Sequence, residues 1–315
     1  MHTTTRTTVA LGTALLLGAP LTACGSADTK AEAASGGPVR VAGVTVRADP
    51  ELHDTLPEAI KEAGRVRVAS DVPYPPFEMF VKEGSKEITG LDFDLSQALG
   101  AKLGVEFDFR PQKFDGIIPA IQAGKYDVAM SAMTDNKQRQ KVLDFVDYSV
   151  SGTGILVEEG NPEKVSTALD LCGLEVAAQA ATNQADFVEE QQPECRSAGK
   201  PRISLQTYPK DSDTQLAVSS GKAHAAVITK PAAGYIAKTV GGGDTFDLVE
   251  DPEAKGGYNA SPNGIGVSRR HDGLADAIQA ALQQLMDDGV YDRILEKYGV
   301  SAIGLDKATQ NAAVD

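Results

Sequence analysis

Two kinds of hydrophobic pattern alternate along this chain. Short apolar runs bounded by Gly, Pro, Asn or Asp fit strands at Arg65–Ser70, Val105–Phe109, Asp127–Ala132, Gly154–Val157, Leu174–Ala178, Ile203–Tyr208, Ala225–Thr229, Phe246–Val249 and Gly264–Ser268. Between them, apolar residues return every three or four positions. That period predicts helices at Asp94–Leu103, Phe114–Ala123, Lys137–Val142, Gln184–Glu190, Asp211–Ser220, Pro231–Thr239 and Gly273–Asp288. A shorter pattern of Leu56, Ile60 and Ala63 around Pro57 fits a small helix closed by Gly64, and the fold is expected to begin near Asp49. Such strand–helix alternation predicts an α/β architecture with mostly parallel sheets, whose ligands sit beyond the carboxyl ends of strands. No internal repeat is visible.

The first apolar stretch is of another kind. Val9 to Leu21 follows a single cation, Arg6, and leads into Leu21-Thr22-Ala23-Cys24. Thirteen residues of helix cover about 20 Å, short of the roughly 30 Å hydrocarbon core, so residues 1–23 read as a secretory signal peptide and not as a span. Leu-Thr-Ala-Cys resembles a bacterial lipobox, which implies lipid on Cys24 after cleavage ahead of it. Residues 25–38 are Gly-, Ala-, Ser- and charge-rich without apolar period, so residues 24–48 are expected to form a flexible tether from lipid to fold. The expected location is the outer face of a bacterial cell membrane, held there by the lipid alone.

Removing residues 1–23 takes away one Arg and no acid, which leaves 292 residues with 29 bases and 44 acids, net −15. That charge excludes nucleic acid and an anionic bilayer surface as natural partners, since both need clustered Lys and Arg. The length suffices for two modest cores. Cys172 and Cys195 are an even pair in an exported chain, and no His or carboxylate cluster accompanies either. A structural disulfide is therefore favoured over a metal or nucleophilic site. No cofactor and no metal are expected.

Four stretches, in order, resemble the substrate-binding proteins of polar amino-acid ABC importers, the family 3 extracellular solute-binding proteins. They are Arg67-Val68-Ala69-Ser70-Asp71-Val72-Pro73-Tyr74-Pro75-Pro76-Phe77-Glu78 with Gly90-Leu91-Asp92-Phe93-Asp94-Leu95; Phe114-Asp115-Gly116-Ile117-Ile118-Pro119-Ala120-Ile121 with Gly124-Lys125-Tyr126-Asp127-Val128; Ser131-Ala132-Met133-Thr134 with Arg139; and Asp288-Gly289-Val290-Tyr291 through Tyr298-Gly299. The likeness runs from about Leu56 to Tyr298. It implies a two-lobed, periplasmic-binding-protein type II fold in which each lobe is a mostly parallel sheet flanked by helices and two strands form the hinge. Residues 49–155 with 251–315 would form one lobe and 156–250 the other. The implied partners are a small carboxylated solute and the permease subunits of an ABC importer, with the binding protein itself a monomer.

The resemblance also nominates a site. Arg139, five residues after Thr134, matches the family's carboxylate clamp, a role suited to the planar guanidinium fork. Ser131, Ala132 and Thr134 match positions that offer backbone and hydroxyl partners to the ligand. From the opposite lobe, Gln179, Thr182 and Asn183 stand at a turn entering a helix, where free amides favour an anion, although Ala181 replaces the usual Gly. Tyr74 and Phe114 match aromatic walls and rank above Phe77, which stands at or next to such a position and fits the core equally well. Asp71 matches a position that touches the ligand's distal polar end. Thr229 is the departure: the family usually has an Asp there to meet the ligand's α-ammonium, so either another acid such as Asp71 takes over or the ligand has no ordinary free α-ammonium. Lys230 beside it could add a cation to the cleft or turn outward.

Capture and delivery without chemistry is the leading reading. A dehydratase-like enzyme on the same scaffold is the alternative, yet His2, His53, His224 and His271 all fall outside the ligand-contacting motifs. A sensory lipoprotein that presents its solute to a receptor is the third.

Overall fold

The computed structural model describes residues 38–314. The nominated signal peptide and Cys24 lie outside that range. The order begins earlier than Asp49: β1 (Val39–Val41) and β2 (Val44–Val46) form an antiparallel hairpin, and Val41 and Val46 are buried in the first core. Strict alternation of Val with Arg40, Thr45 and Arg47 encodes it, so the segment expected as a tether is folded from Val39 onward. Its turn, Ala42–Gly43, places a non-glycine residue at φ 47°, which hides the usual turn signal.

The chain continues through α1 (Pro50–Asp54), α2 (Glu58–Ala63), β3 (Arg65–Ser70), β4 (Met79–Phe80), β5 (Ile88–Thr89), α3 (Leu91–Leu103), β6 (Glu106–Pro111), α4 (Ile117–Gln122), β7 (Val128–Ala129) and β8 (Leu143–Glu158). Next come β9 (Glu175–Gln179), α5 (Asn183–Ser197), β10 (Ser204–Tyr208), α6 (Asp211–Ser219), β11 (Ala225–Thr229), α7 (Lys230–Thr239), β12 (Phe246–Leu248), β13 (Tyr258–Ser268), α8 (Leu274–Asp287), α9 (Val290–Lys297) and β14 (Thr309–Gln310). The strands run in the order β10-β9-β11-β8-β13-β7-β3-β6. β3 pairs in parallel with β6 and β7 on one side, and β9 in parallel with β10 and β11 on the other. Between these parallel sets, β8 and β13 run antiparallel and belong to both.

The buried apolar residues divide the same way. In the first half one cluster runs from Val41 to Tyr148 and from Ile265 to Ala308 and a second gathers Ala69, Ile117, Ile121, Tyr126 and Phe145; in the other half one cluster is centred on Ile155, Val176 and Val227 and another on Leu156, Ala226 and Ile236. The two lobes meet where β8 and β13 turn polar: Asn263 donates to Ser149 Oγ at 3.3 Å and to Ser151 Oγ at 2.7 Å. Close by, Gly152 donates to Gly256 O at 2.8 Å, and a Cβ on Gly152 would collide with the backbone of Gly257. Small and polar residues thus keep apolar packing out of the crossing, which suits a pair of strands that must flex.

Four expected elements are corrected by this geometry. Lys137–Val142 is not a helix: only the 3-10 turn Arg139–Lys141 forms there. The strand expected over Asp127–Ala132 is Val128–Ala129 alone, because Ala132 takes a left-handed φ of 45° that leaves the sheet. Gly154–Val157 and Gly264–Ser268 are ends of the much longer β8 and β13. Within the second lobe, Cys172 and Cys195 are joined, with Cα atoms 5.5 Å apart, and fasten the turn before β9 to α5.

Candidate functional site

The carboxyl ends of the parallel strands converge on one cleft. β3 delivers Asp71 and Tyr74, β6 leads into the turn bearing Phe114, and β7 leads to Ser131, Ala132 and Thr134. From the second lobe, β9 delivers Gln179 and the N-terminus of α5, and β11 ends on Thr229. Every residue nominated from the sequence lines this one cavity: Asp71, Tyr74, Phe114, Ser131, Ala132, Thr134, Arg139, Gln179, Thr182, Asn183 and Thr229. The cavity among them is tight, with about 20 Å³ open to the centre of a water-sized sphere. Gln184 lines it too; sequence reasoning placed that residue in a helix and gave it no part in the site. Phe77 is fully buried in the first core and does not face the cavity.

Arg139 is buried, with 8% of its surface exposed. Its guanidinium donates to Thr134 O at 2.8 Å and, across the cleft, to Ala181 O at 3.0 Å, and its Cζ lies 5.6 Å from the centre of the Phe114 ring. Among the described residues, no carboxylate lies within 4 Å of it. Burial pushes its pKa down to about 10 against the pull of Asp186 and Asp135, so it remains a cation at neutral pH. A buried cation whose only partners are carbonyls and an aromatic face is costly, and a ligand carboxylate is the partner that would offset the cost.

Both turns that flank this guanidinium carry a non-glycine residue in the left-handed region, Ala132 at φ 45° and Ala181 at φ 63°. Ala181 adopts the backbone that a glycine would take more cheaply, which aims its carbonyl at Arg139. Next to it, Thr182 caps α5: its hydroxyl accepts from Ala185 N at 3.2 Å and donates to Gln179 O at 2.7 Å.

The lobes touch across the cleft at several of these residues. Gln179 donates to Asp71 Oδ2 at 2.6 Å, and Asn136 donates to Asn183 Oδ1 at 2.9 Å. Thr229 N donates to the Tyr74 hydroxyl at 3.0 Å, and the Tyr74 and Thr229 hydroxyls are 2.8 Å apart. Lys230 turns outward, bonding Glu250 Oε2 at 3.0 Å and Ala254 O at 3.2 Å. Asp71 and Arg139 are therefore the only charged side chains among the described residues lining the cavity, one anion and one cation. Burial raises the Asp71 carboxyl above its ordinary range, while the Gln179 amide works in the opposite direction.

Residues 66–301 match the profile of the bacterial extracellular solute-binding proteins, family 3. The arginine-binding protein ArgT of Corynebacterium glutamicum is 32% identical over 266 residues, covering 83% of this chain and 83% of that protein. Among solved structures, the ancestral amino acid-binding protein AncCDT-1, a precursor of cyclohexadienyl dehydratase, superposes with a TM-score of 0.65 at 32% identity, covering 76% of this chain and 97% of that one. The substrate-binding protein AbpA of Streptococcus pneumoniae bound to L-arginine gives 0.66 at 25% identity, covering 79% and 100%.

Proposed function

This chain belongs to the bacterial extracellular solute-binding proteins, family 3, the amino-acid-binding proteins of ABC importers, and on that premise we propose that it captures a small carboxylated solute with a cationic nitrogen between its lobes. The observation that carries this reading is the buried Arg139, which among the described residues has no carboxylate within 4 Å and shares its cavity with Asp71. The ligand carboxylate meets the guanidinium through two parallel hydrogen bonds, and the amide end of α5 faces the same group. Asp71 meets a cationic nitrogen at the other end. ArgT is an arginine-binding protein and the AbpA structure holds L-arginine, which supports L-arginine as the first probe. Contacts from both lobes make the closed state the one that the ligand favours.

We read the site as one for binding without chemistry: among the described residues lining the cavity there is no histidine, and Asp71 is the single acid. The lobes are taken as residues 49–155 with 251–315, to which the hairpin of β1 and β2 adds its valines, and 156–250. The mature chain is held at the outer face of the membrane by lipid on Cys24 and hands its solute to the permease as a monomer. Mass spectrometry of the mature N-terminal peptide checks the anchor: a lipid-modified Cys24 is expected, and an unmodified residue there contradicts it.

A thermal-shift panel of amino acids, N-substituted amino acids and small dicarboxylates, followed by calorimetry, tests the ligand class. A hundredfold excess over the dissociation constant should stabilise the protein by about 2.7 kcal/mol. The variant Thr229→Asp separates the two ends of the ligand. If Thr229 faces the α-ammonium, the new carboxylate adds a charge-assisted hydrogen bond of about 1.5–3 kcal/mol, a gain of roughly ten- to a hundredfold for free over N-acetylated amino acids. An unchanged ratio would place the amine elsewhere.

A further inference from the structure

Behind the cavity wall lies a pair of acids that ligand contact does not explain. Glu78 and Asp92 are both wholly buried. They are brought together at Gly90, where α3 docks so tightly that a Cβ would collide with the carbonyl of Phe77; Asp92 N donates to that same carbonyl at 2.8 Å. Glu78 Oε1 accepts from the Ser131 hydroxyl at 2.6 Å, and Asp92 Oδ2 accepts from Ala132 N at 2.8 Å. Each carboxyl thus holds one residue of the cavity wall. Among the described residues, their remaining oxygens, Glu78 Oε2 and Asp92 Oδ1, make no hydrogen bond within 3.5 Å; the two carboxyls lie close enough to act on each other, and the Tyr148 hydroxyl faces Asp92 from the other side.

Among the described residues, no Lys, Arg or His comes within 4 Å of either acid. The titratable groups facing the pair are Asp71, Tyr74 and Tyr148, none of them a cation. Two ionised carboxylates cannot share such a site, whereas one proton held between them removes the repulsion and leaves a single negative charge. Burial raises both groups, Glu78 well above the usual carboxylate range and Asp92 to about 6.

The consequence reaches the cavity through Ser131. Its only proton is committed to Glu78, and one lone pair of its oxygen already accepts from Asp71 N at 2.9 Å. What the hydroxyl offers the ligand is therefore a lone pair. We propose that Glu78 and Asp92, sharing one proton, are positioning residues that make Ser131 an acceptor and supply, from behind the wall, the counter-charge for the ligand's α-ammonium that Thr229 does not provide. This rests on the reading of the cleft as an amino-acid site, and it locates the missing acid one hydrogen bond deeper.

Amide substitutions test it on the intact protein. Glu78→Gln and Asp92→Asn each replace the shared proton by an N–H donor and keep one negative charge on the other residue. The double variant keeps the shape and loses the charge. Calorimetric titration with L-arginine and with L-argininic acid, its α-hydroxy counterpart, should show each single variant losing no more than about threefold for arginine and the double variant about tenfold or more, with argininic acid changing by less than about twofold throughout. Infrared difference spectra of ligand-free protein should show a protonated-carboxyl band in the wild type that is lost in each single variant. Equal losses for both probes in the double variant reduce the pair to a structural role and overturn the proposal, as does a spectrum in which neither single variant loses that band. Should L-arginine fail to bind the wild type, the ligand class fails by itself, and the infrared band still decides the shared proton.

Discussion

Replacing Arg139 with alanine is expected to abolish the response to every carboxylated ligand while leaving the ligand-free protein folded. Once bound, the ligand's carboxylate sits in a desolvated cleft, and without the guanidinium it is a buried charge with no partner. That situation costs about 3–5 kcal/mol, several hundredfold or more in affinity. The stability of the empty protein should move far less. Removing a buried cation relieves its desolvation, and this offsets the hydrogen bonds lost by Thr134 O and Ala181 O. Arg139→Lys should behave nearly as badly, because a single ammonium cannot reproduce the two-pronged grip. Thermal melts with and without ligand separate the two effects: the melting temperature of the empty protein stays close to wild type and the ligand-induced rise disappears. A variant that binds with wild-type affinity would remove Arg139 from the site.

The second large effect concerns stability. Changing Cys172 and Cys195 together to serine frees a segment of 23 residues, which in the chain-entropy account costs about 3 kcal/mol. Cys195 is wholly buried in the core of the second lobe, so the serine hydroxyl left there adds a desolvation cost. For a chain of this size the melting temperature should fall by roughly 6–12 °C, and reducing agent should lower the wild type towards the variant without further effect on the variant itself. Equal melting of the oxidised and reduced wild type would mean that the bond contributes nothing. Gln179, Thr182 and Asn183 of the cavity wall lie within the closed segment while Arg139 and its neighbours in the first lobe lie outside it, so ligand affinity should fall along with stability and the number of binding sites should not change.

How much of this was legible in the sequence depends on which physical signal each feature left. The parallel strand β11 is a near-continuous apolar run, β9 carries Val176-Ala177-Ala178 at its centre, and β3 alternates Val66 and Val68 with Arg65 and Arg67; such patterns declare themselves. β8 does not. Its middle carries Asp147, Ser149, Ser151 and Thr153, which look like loop residues and yet are buried, because the crossing between lobes is held by hydrogen bonds where a core would use apolar side chains. The first hairpin was hidden by Ala42 at a position where glycine or asparagine would have marked the turn.

For the site, the nominated residues share one cavity because short motifs at strand ends fix position in this fold almost regardless of what surrounds them. Gln184 carried no such signal, since a polar residue early in a helix ordinarily faces solvent. Glu78 and Asp92 stood within the quoted motifs without being given a role, and a carboxylate in a sequence says nothing about burial. Only the tight approach of α3 to the Phe77 turn, permitted by Gly90, shows that the two acids meet. The outward turn of Lys230 was likewise undecidable beforehand, because it depends on Glu250 and Ala254, twenty or more residues away.

The most direct measurement is a crystal structure of the protein with the tightest ligand from the panel. The account predicts that the ligand lies between the lobes with its carboxylate in two hydrogen bonds to the Arg139 guanidinium and a cationic nitrogen towards Asp71 or Ser131. A ligand seated outside the cleft, or one whose carboxylate leaves Arg139 bonded only to Thr134 O and Ala181 O, would contradict it.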